Sequence, residues 1–128
     1  MNKIAYNICY GGFTLSIQAV NWLEQHCNDS ELKEFIKNEK SDIMSDIRIP
    51  KSIKNMHICS SVTHWFDERR HHNDLIAVIE SLGDRASGDC AELRIFYTDS
   101  NRYRIEDYDG VESVITPDEQ QDWVYIKR

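Results

Sequence analysis

The sequence predicts an α+β domain, a small antiparallel sheet with two to four helices packed on it. Three observations predict it. Apolar residues recur at three- and four-residue steps in separate stretches of the first two thirds of the chain. The stretch from Ala91 to Thr98 instead alternates Leu93, Ile95 and Tyr97 against Glu92, Arg94 and Phe96, the period of a half-buried strand. Strand signals then follow one another across short turns and do not alternate with helices, which argues against a doubly wound sheet. At 128 residues, 41% hydrophobic and 29% charged, the chain has the size and composition of one folded domain.

Residues Lys3 to Cys9 read as a first strand with Ile4, Tyr6 and Ile8 on one face, broken by Gly11-Gly12. Ser16 is placed to cap a first helix whose buried stripe is Ile17, Val20, Leu23 and Cys27. Asn28 followed by Glu31 reads as a capping box for a second short helix around Leu32, Phe35 and Ile36, fading at Lys37-Asn38-Glu39-Lys40. From Ser41 to Trp65 no single period holds and Pro50 interrupts, so residues 41–66 read as an irregular or inserted segment. Asn73 is expected to cap a helix with Leu75, Ile76, Ile79 and Leu82 as its core face, ended by Gly83 in a left-handed conformation. After the strand at Ala91 to Thr98, Asp99-Ser100-Asn101 supplies a turn and Arg102 to Glu106 a strand that pairs back across it. Asp107-Tyr108-Asp109-Gly110 turns again, and Trp123 to Lys127 reads as a last strand.

Aspartate and glutamate number 22 against 15 lysine and arginine, and a net charge of -7 opposes binding to duplex DNA or long RNA. A small anion needs only two or three local cations and stays compatible with that balance. No apolar run has the length of a membrane span or the form of a secretion signal, so a cytoplasmic protein is expected. Cys9, Cys27, Cys59 and Cys90 show no C-x-x-C pair and read as reduced, mostly buried thiols.

Glu68-Arg69-Arg70-His71-His72 stands directly before a helix. Two guanidiniums beside free helix N–H groups make a phosphate clamp, because Arg forks match phosphate oxygens and the helix dipole favours anions. The bland alternative is a solvated charged loop paired with Glu68 and Asp74. Gly11-Gly12-Phe13 ends a strand ahead of a helix, where backbone can approach a ligand while Tyr10 or Phe13 offers a ring to a base; a glycine pair is also simply a turn. Ser87-Gly88 has the same two readings. His26-Cys27, His57-Ile58-Cys59 and His71-His72 lack metal-site spacing, and Asp107, Asp109 and Glu112 suit a solvated hairpin as well as a cation. Cys90 after Gly88-Asp89 is a thiol without a visible base.

The same residues resemble a known family. Tyr6-Asn7-x-Cys9-Tyr10-Gly11-Gly12-Phe13-x-Leu15-Ser16 resembles the opening of the viral Thoeris anti-defence family of the first type. Arg70-His71-x-x-x-Leu75-Ile76-x-Val78-Ile79-Glu80-x-Leu82-Gly83 is similar to its central helix, followed by Ala86-Ser87-Gly88-x-Cys90-Ala91-Glu92-Leu93-Arg94-Ile95. Glu106-Asp107-Tyr108-Asp109-Gly110 is similar to its acidic hairpin. The chain departs from the family pattern at His72-Asn73, where the family has Asp-Pro, and at Gln120-Gln121-Asp122-Trp123, where it has His-Arg-Thr-Trp.

The resemblance implies a phage protein of the host bacterial cytoplasm that sequesters a cyclic ADP-ribose-type signal, or a cyclic oligonucleotide, without degrading it. It implies a homo-oligomer, a dimer or a trimer of dimers, and no cofactor. The expected ligand residues are Arg69, Arg70 and His71 near phosphate, Tyr10 or Phe13 against a base, Gly11, Gly12, Ser87 and Gly88 through backbone, and Arg104 or Asp109 near ribose or phosphate. So small a domain is expected to form its pockets between subunits, and replacing Arg70 by alanine to weaken binding with the fold intact. Two competing classes are an acidic protein that inhibits a host protein by surface mimicry and a metal-assisted phosphodiesterase.

Overall fold

The computed structural model describes residues 1–117 and has the expected α+β architecture. The expected strand from Trp123 to Lys127 lies outside the described residues. In chain order the elements are β1 (Asn2–Asn7), α1 (Ile17–His26), α2 (Ser30–Ser45), α3 (Lys54–Trp65), α4 (Asn73–Leu82), β2 (Leu93–Thr98), β3 (Arg104–Tyr108) and β4 (Val111–Ile115). Short 3₁₀ turns, Lys51–Ile53 and Gly83–Ala86, precede α3 and follow α4.

Two antiparallel pairs replace the hairpin expected between Ala91–Thr98 and Arg102–Glu106. β2 pairs with β1 over six residues, from Asn2 opposite Thr98 to Asn7 opposite Leu93. β3 pairs with β4, from Arg104 opposite Ile115 to Tyr108 opposite Val111. Turn chemistry decides this. Asp109 (φ 54) and Gly110 (φ 89) form a two-residue connection with both residues left-handed, the geometry that matches strand twist. At Ser100–Arg102 the Ser100 hydroxyl donates to the Arg102 carbonyl, which directs the chain out of β2 and not back along it.

Helix starts follow side-chain chemistry one residue away from two expectations. Ser16 caps α1 as expected, its Oγ accepting from the Ala19 N–H at 3.0 Å. Asp29, not Asn28, caps α2 by accepting from the N–H groups of Glu31 and Leu32. His72, not Asn73, caps α4, its Nδ1 accepting from the Asp74 N–H at 3.1 Å. Gly83 ends that helix at φ 58, as expected.

The segment expected to be irregular is helical. α2 continues past Lys37–Lys40 because those residues form its solvent face and Ile43 resumes the buried stripe of Leu32 and Ile36. Lys40 holds the adjoining helix through Asn21 and Glu24. Lys54 then donates its three ammonium hydrogens to the carbonyls of Ile43, Met44 and Asp46, satisfying the open C-terminus of α2. Pro50 precedes the turn into α3, where a missing N–H costs no helical bond. α3 buries Ile58 and Val62, with Phe66 just beyond, and leaves Met56 exposed.

α1 packs on α2, α3 and α4, and α4 also packs on β1 and β2. Val20, Leu23, Leu32, Ile36, Val62, Phe66, Leu75 and Val78 are wholly buried there. Each contributes on the order of 1.5–3 kcal/mol by leaving water. This cluster is the platform that fixes both ends of β1, where the polar sites lie.

Candidate functional site

At the C-terminal end of β1 three loops meet on one side chain. Asn7 is fully buried; its amide donates to the carbonyls of Cys9 and Gly110, and its oxygen accepts from the N–H groups of Cys9 and Glu92. The Gly11-Gly12 turn, the Ser87–Glu92 loop and the Asp109-Gly110 turn are thereby brought together. Their glycines have separate reasons. Gly11 lies so close to the Cys90 carbonyl that a Cβ would overlap it, and a Cβ on Gly110 would overlap the Tyr10 carbonyl. Gly12 sits at φ 87 in open space, so only its backbone conformation calls for glycine. Gly88 donates its N–H to the Thr14 carbonyl, and Ser87 bridges to Leu15. Tyr10 is 72% exposed above this junction, and Cys90 is exposed at φ 60.

Arg70 does not face solvent. It is 7% exposed and forms a two-armed ion pair with Glu112 of β4, at 2.6 and 2.7 Å. Its guanidinium carbon lies 3.7 Å from the centre of the Phe13 ring, and Nη1 also donates to the Ala5 carbonyl at 3.3 Å. The Asn7 N–H donates to the same Glu112 carboxylate. The expected phosphate role of Arg70 is therefore corrected: this cation is spent on locking the β3–β4 hairpin to β1. Phe13, 9% exposed, gives one ring face to that guanidinium and is no free platform for a base.

The helix end next to it is also filled. Asp74 in the first turn of α4 accepts from the N–H groups of Asn28 and Asp29, and His72 occupies the cap. Because His72 Nδ1 accepts, its Nε2 carries the hydrogen and donates to Asp29 at 2.8 Å. That bond, with the N–H groups of Leu32 and Glu31, holds the Asp29 carboxyl below its ordinary range. Two carboxylates stand where the clamp expected a phosphate. Arg69 stacks on Trp65, 4.1 Å from the ring centre, and donates to the Trp65 carbonyl at 2.5 Å.

A second concave place lies at the other end of β1. A cleft of about 1050 Å³ opens between β1, α4 and the start of β3. Ile4, Ile76 and Ile105 are its apolar lining residues, with Ala77. Arg102 and Arg104 line it, as do Asp67 and Glu68 from the turn between α3 and α4. His71 and Tyr103 line it too, joined by a 2.8 Å hydrogen bond between Nδ1 and the phenol. Burial is the main cause that raises the Tyr103 phenol above its ordinary pKa, opposed by hydrogen bonds from the backbone of Arg70 and His71. Lys3 and Glu80 pair at 2.7 Å along the wall.

The expected ligand residues thus fall in two groups. Tyr10, Gly11, Gly12, Ser87, Gly88 and Asp109 gather at the loop junction, while His71 and Arg104 line the cleft. The six-residue strand β1 keeps these places roughly 17–20 Å apart. Arg69 lines a shallower neighbouring hollow with His71. Sequence reasoning missed Arg102, Tyr103, Asp67 and Glu68; the readable signal was the alternation Arg102-Tyr103-Arg104 beside a turn. The cleft is lined by residues of one chain.

Two of the thiols, Cys27 and Cys59, are poor nucleophiles. Burial pushes Cys59 up to about 11 and also raises Cys27. All four cysteines are free, and only Cys27 is buried, a correction to the expectation of mostly buried thiols. Among the described residues no group of three or more His, Cys, Asp or Glu side chains is arranged to hold a metal, and no helix is long and apolar enough to cross a membrane. In comparisons with known proteins, no family model, no curated protein and no solved structure matches the chain.

Proposed function

We propose that the protein captures a small phosphorylated nucleotide-type signal, of the cyclic ADP-ribose kind, and holds it unaltered, acting in the bacterial cytoplasm as a phage anti-defence protein of the Thoeris-directed first type. The observation that carries this reading is the cleft beside β3. Its volume suits a ligand of nucleotide size, and its lining mixes apolar and polar side chains, the usual composition of small-molecule sites. Arg102 and Arg104 supply forked donors for phosphate, and His71 and Tyr103 supply two rings.

Magnitudes decide what such a site needs. Silencing a scarce signal takes nanomolar affinity, about -12 kcal/mol. Charge-assisted hydrogen bonds to phosphate contribute roughly 1.5–3 kcal/mol each, and base stacking roughly 1–3, before ordering costs. One cleft with two arginines and these two rings falls short of that total once ordering costs are subtracted. The reading therefore includes a homo-oligomer in which a second copy adds contacts, and the exposed Tyr10 and Tyr108 at the loop junction suit such an association.

The test is retention. Purified protein is mixed with cyclic ADP-ribose or with a cyclic oligonucleotide, freed of unbound ligand, and heated to release what it holds. Intact ligand recovered from the wild type, and lost from Arg102→Ala/Arg104→Ala, supports sequestration. A chemically altered product means an enzyme. No retained ligand of either kind overturns the reading and turns attention to a protein partner for the acidic surface.

A further inference from the structure

We propose that the β3–β4 hairpin is a hinged flap, which swings away from β1 as one body when a single catch, the Glu112 carboxylate held by Arg70 and Asn7, lets go. The device belongs to the fold and does not depend on what the cleft binds. The observation behind it is how the hairpin is attached. β3 and β4 form a two-stranded sheet of their own, separate from the sheet of β1 and β2. Among the described residues no backbone-to-backbone hydrogen bond joins residues 103–116 to the rest of the chain.

The polar ties run through side chains, and three of them meet on one carboxylate. Glu112 accepts from Arg70 Nη1 and Nη2 at 2.6 and 2.7 Å and from the Asn7 N–H at 3.0 Å. The Asn7 amide adds a bond to the Gly110 carbonyl at 2.8 Å, and Tyr103, at the entry to the hairpin, meets His71. Apolar grip is small by comparison. Glu112, Val114 and Thr116 are the buried alternate residues of β4 and its end, and only Val114 of these is apolar. β3 leaves Arg104 and Glu106 to Tyr108 exposed. Two polar atoms buried on docking, Arg70 Nε and Thr116 Oγ1, have no hydrogen-bond partner among the described residues. Water satisfies such atoms when they are uncovered, so part of the cost of opening is returned. The helical core offers no such return, because its burial is apolar.

The hairpin has its own means of staying together. Five residue pairs, from Arg104 opposite Ile115 to Tyr108 opposite Val111, are closed by the left-handed Asp109-Gly110 turn. The pivot is the turn after β2, anchored by the Asn2 amide on the Ser100 carbonyl at 2.7 Å. Arg104 and Ile105 line the cleft together with Ile4 of β1 and Ile76 of α4. Rotation about Ser100 therefore carries Arg104 and Ile105 away from residues that stay behind, and widens the cleft. Supersecondary units of this kind are the usual size of a part that opens below the free energy of global unfolding.

Hydrogen exchange followed by nuclear magnetic resonance on the whole chain tests this. The Asn7 N–H is bonded to Glu112 and is freed when the catch releases, whereas the Leu23 and Val78 amides lie in the core helices α1 and α4. In wild type the Asn7 N–H is expected to open at least about tenfold more often than those two, and Glu112→Gln to widen that ratio by about a further tenfold or more. A second reporter is Val114→Cys, with alkylation of the introduced thiol read by peptide mass spectrometry. It should give the same opening constant as the Asn7 N–H, because one motion uncovers both. Asn7 exchange that coincides with Leu23 and Val78 in wild type overturns the proposal, and that comparison needs no variant. So does a ratio unchanged by Glu112→Gln. Opening constants for Asn7 and position 114 that differ by more than about tenfold mean separate local fraying and overturn it too. Retention of a ligand enters none of these readings, so their failure leaves the proposed function to its own test.

Discussion

Replacing Arg70 by alanine separates two accounts of the same residue. As a solvent-facing phosphate ligand it would be removed at little cost to folding; the structure predicts the opposite. Deletion of the side chain removes both arms of the ion pair and leaves Glu112, itself 6% exposed, with the Asn7 N–H as its remaining donor. Breaking one side of a buried pair costs about 3–5 kcal/mol because the surviving charge is uncompensated. In a chain of 128 residues each kcal/mol lowers Tm by roughly 3–5 °C, so the expected shift is on the order of 10–20 °C. Thermal unfolding followed by circular dichroism measures it. The variant Arg70→Met/Glu112→Leu, which removes both charges, should recover most of the loss, since apolar replacements of buried pairs are often neutral. An Arg70→Ala protein that melts within about 2 °C of wild type and loses ligand would refute this assignment.

Four further outcomes are expected. Asn7→Leu leaves two N–H groups and two carbonyls at the loop junction without partners, and urea denaturation should show a loss of about 3 kcal/mol. Gly11→Ala forces the turn away from the Cys90 carbonyl and should cost about 1–3 kcal/mol, against about 1 for Gly12→Ala, whose site has space but a left-handed φ; equal losses by denaturation would contradict the packing given for Gly11. Lys54→Met frees three carbonyls at the end of α2 and should reduce stability by about 1–2 kcal/mol, with hydrogen exchange quickening at the last turn of α2. The depressed Asp29 carboxyl stabilises the fold above its unfolded value of 3.8, and that contribution is lost as pH falls from about 4 through the folded value. Asn also caps helices, so Asp29→Asn should flatten acid unfolding below pH 4 and keep α2; an unchanged acid limb would show that His72 does not hold this carboxylate.

Local chemistry made much of the architecture readable. The stripes of α1 and α4, the Ser16 cap, the left-handed Gly83 and the strand ending at Thr98 each depend on neighbours within a few residues, where periodicity and steric preference act directly. α3 was hidden for a local reason too. Ile47 at 98% exposure and Met56 are apolar residues on the outside, so they blurred the stripe made by Ile58 and Val62. The cap shifts at Asp29 and His72 came from a contact between the ends of two helices, which no local pattern contains.

The chain's pattern by itself determined an α+β domain with most of its helices, the Asp109-Gly110 turn and a net charge of -7. Tertiary structure decided strand partners and the roles of charges. β1 takes β2 from 86 or more residues away, and Arg70 meets Glu112 42 residues on, because pairing energy depends on proximity in space and a guanidinium reads alike in sequence whether it faces water or an aromatic ring. Only the fold, by burying Arg70 and leaving Arg102 and Arg104 at a cleft, separates the cation that holds the protein together from those free to hold a ligand.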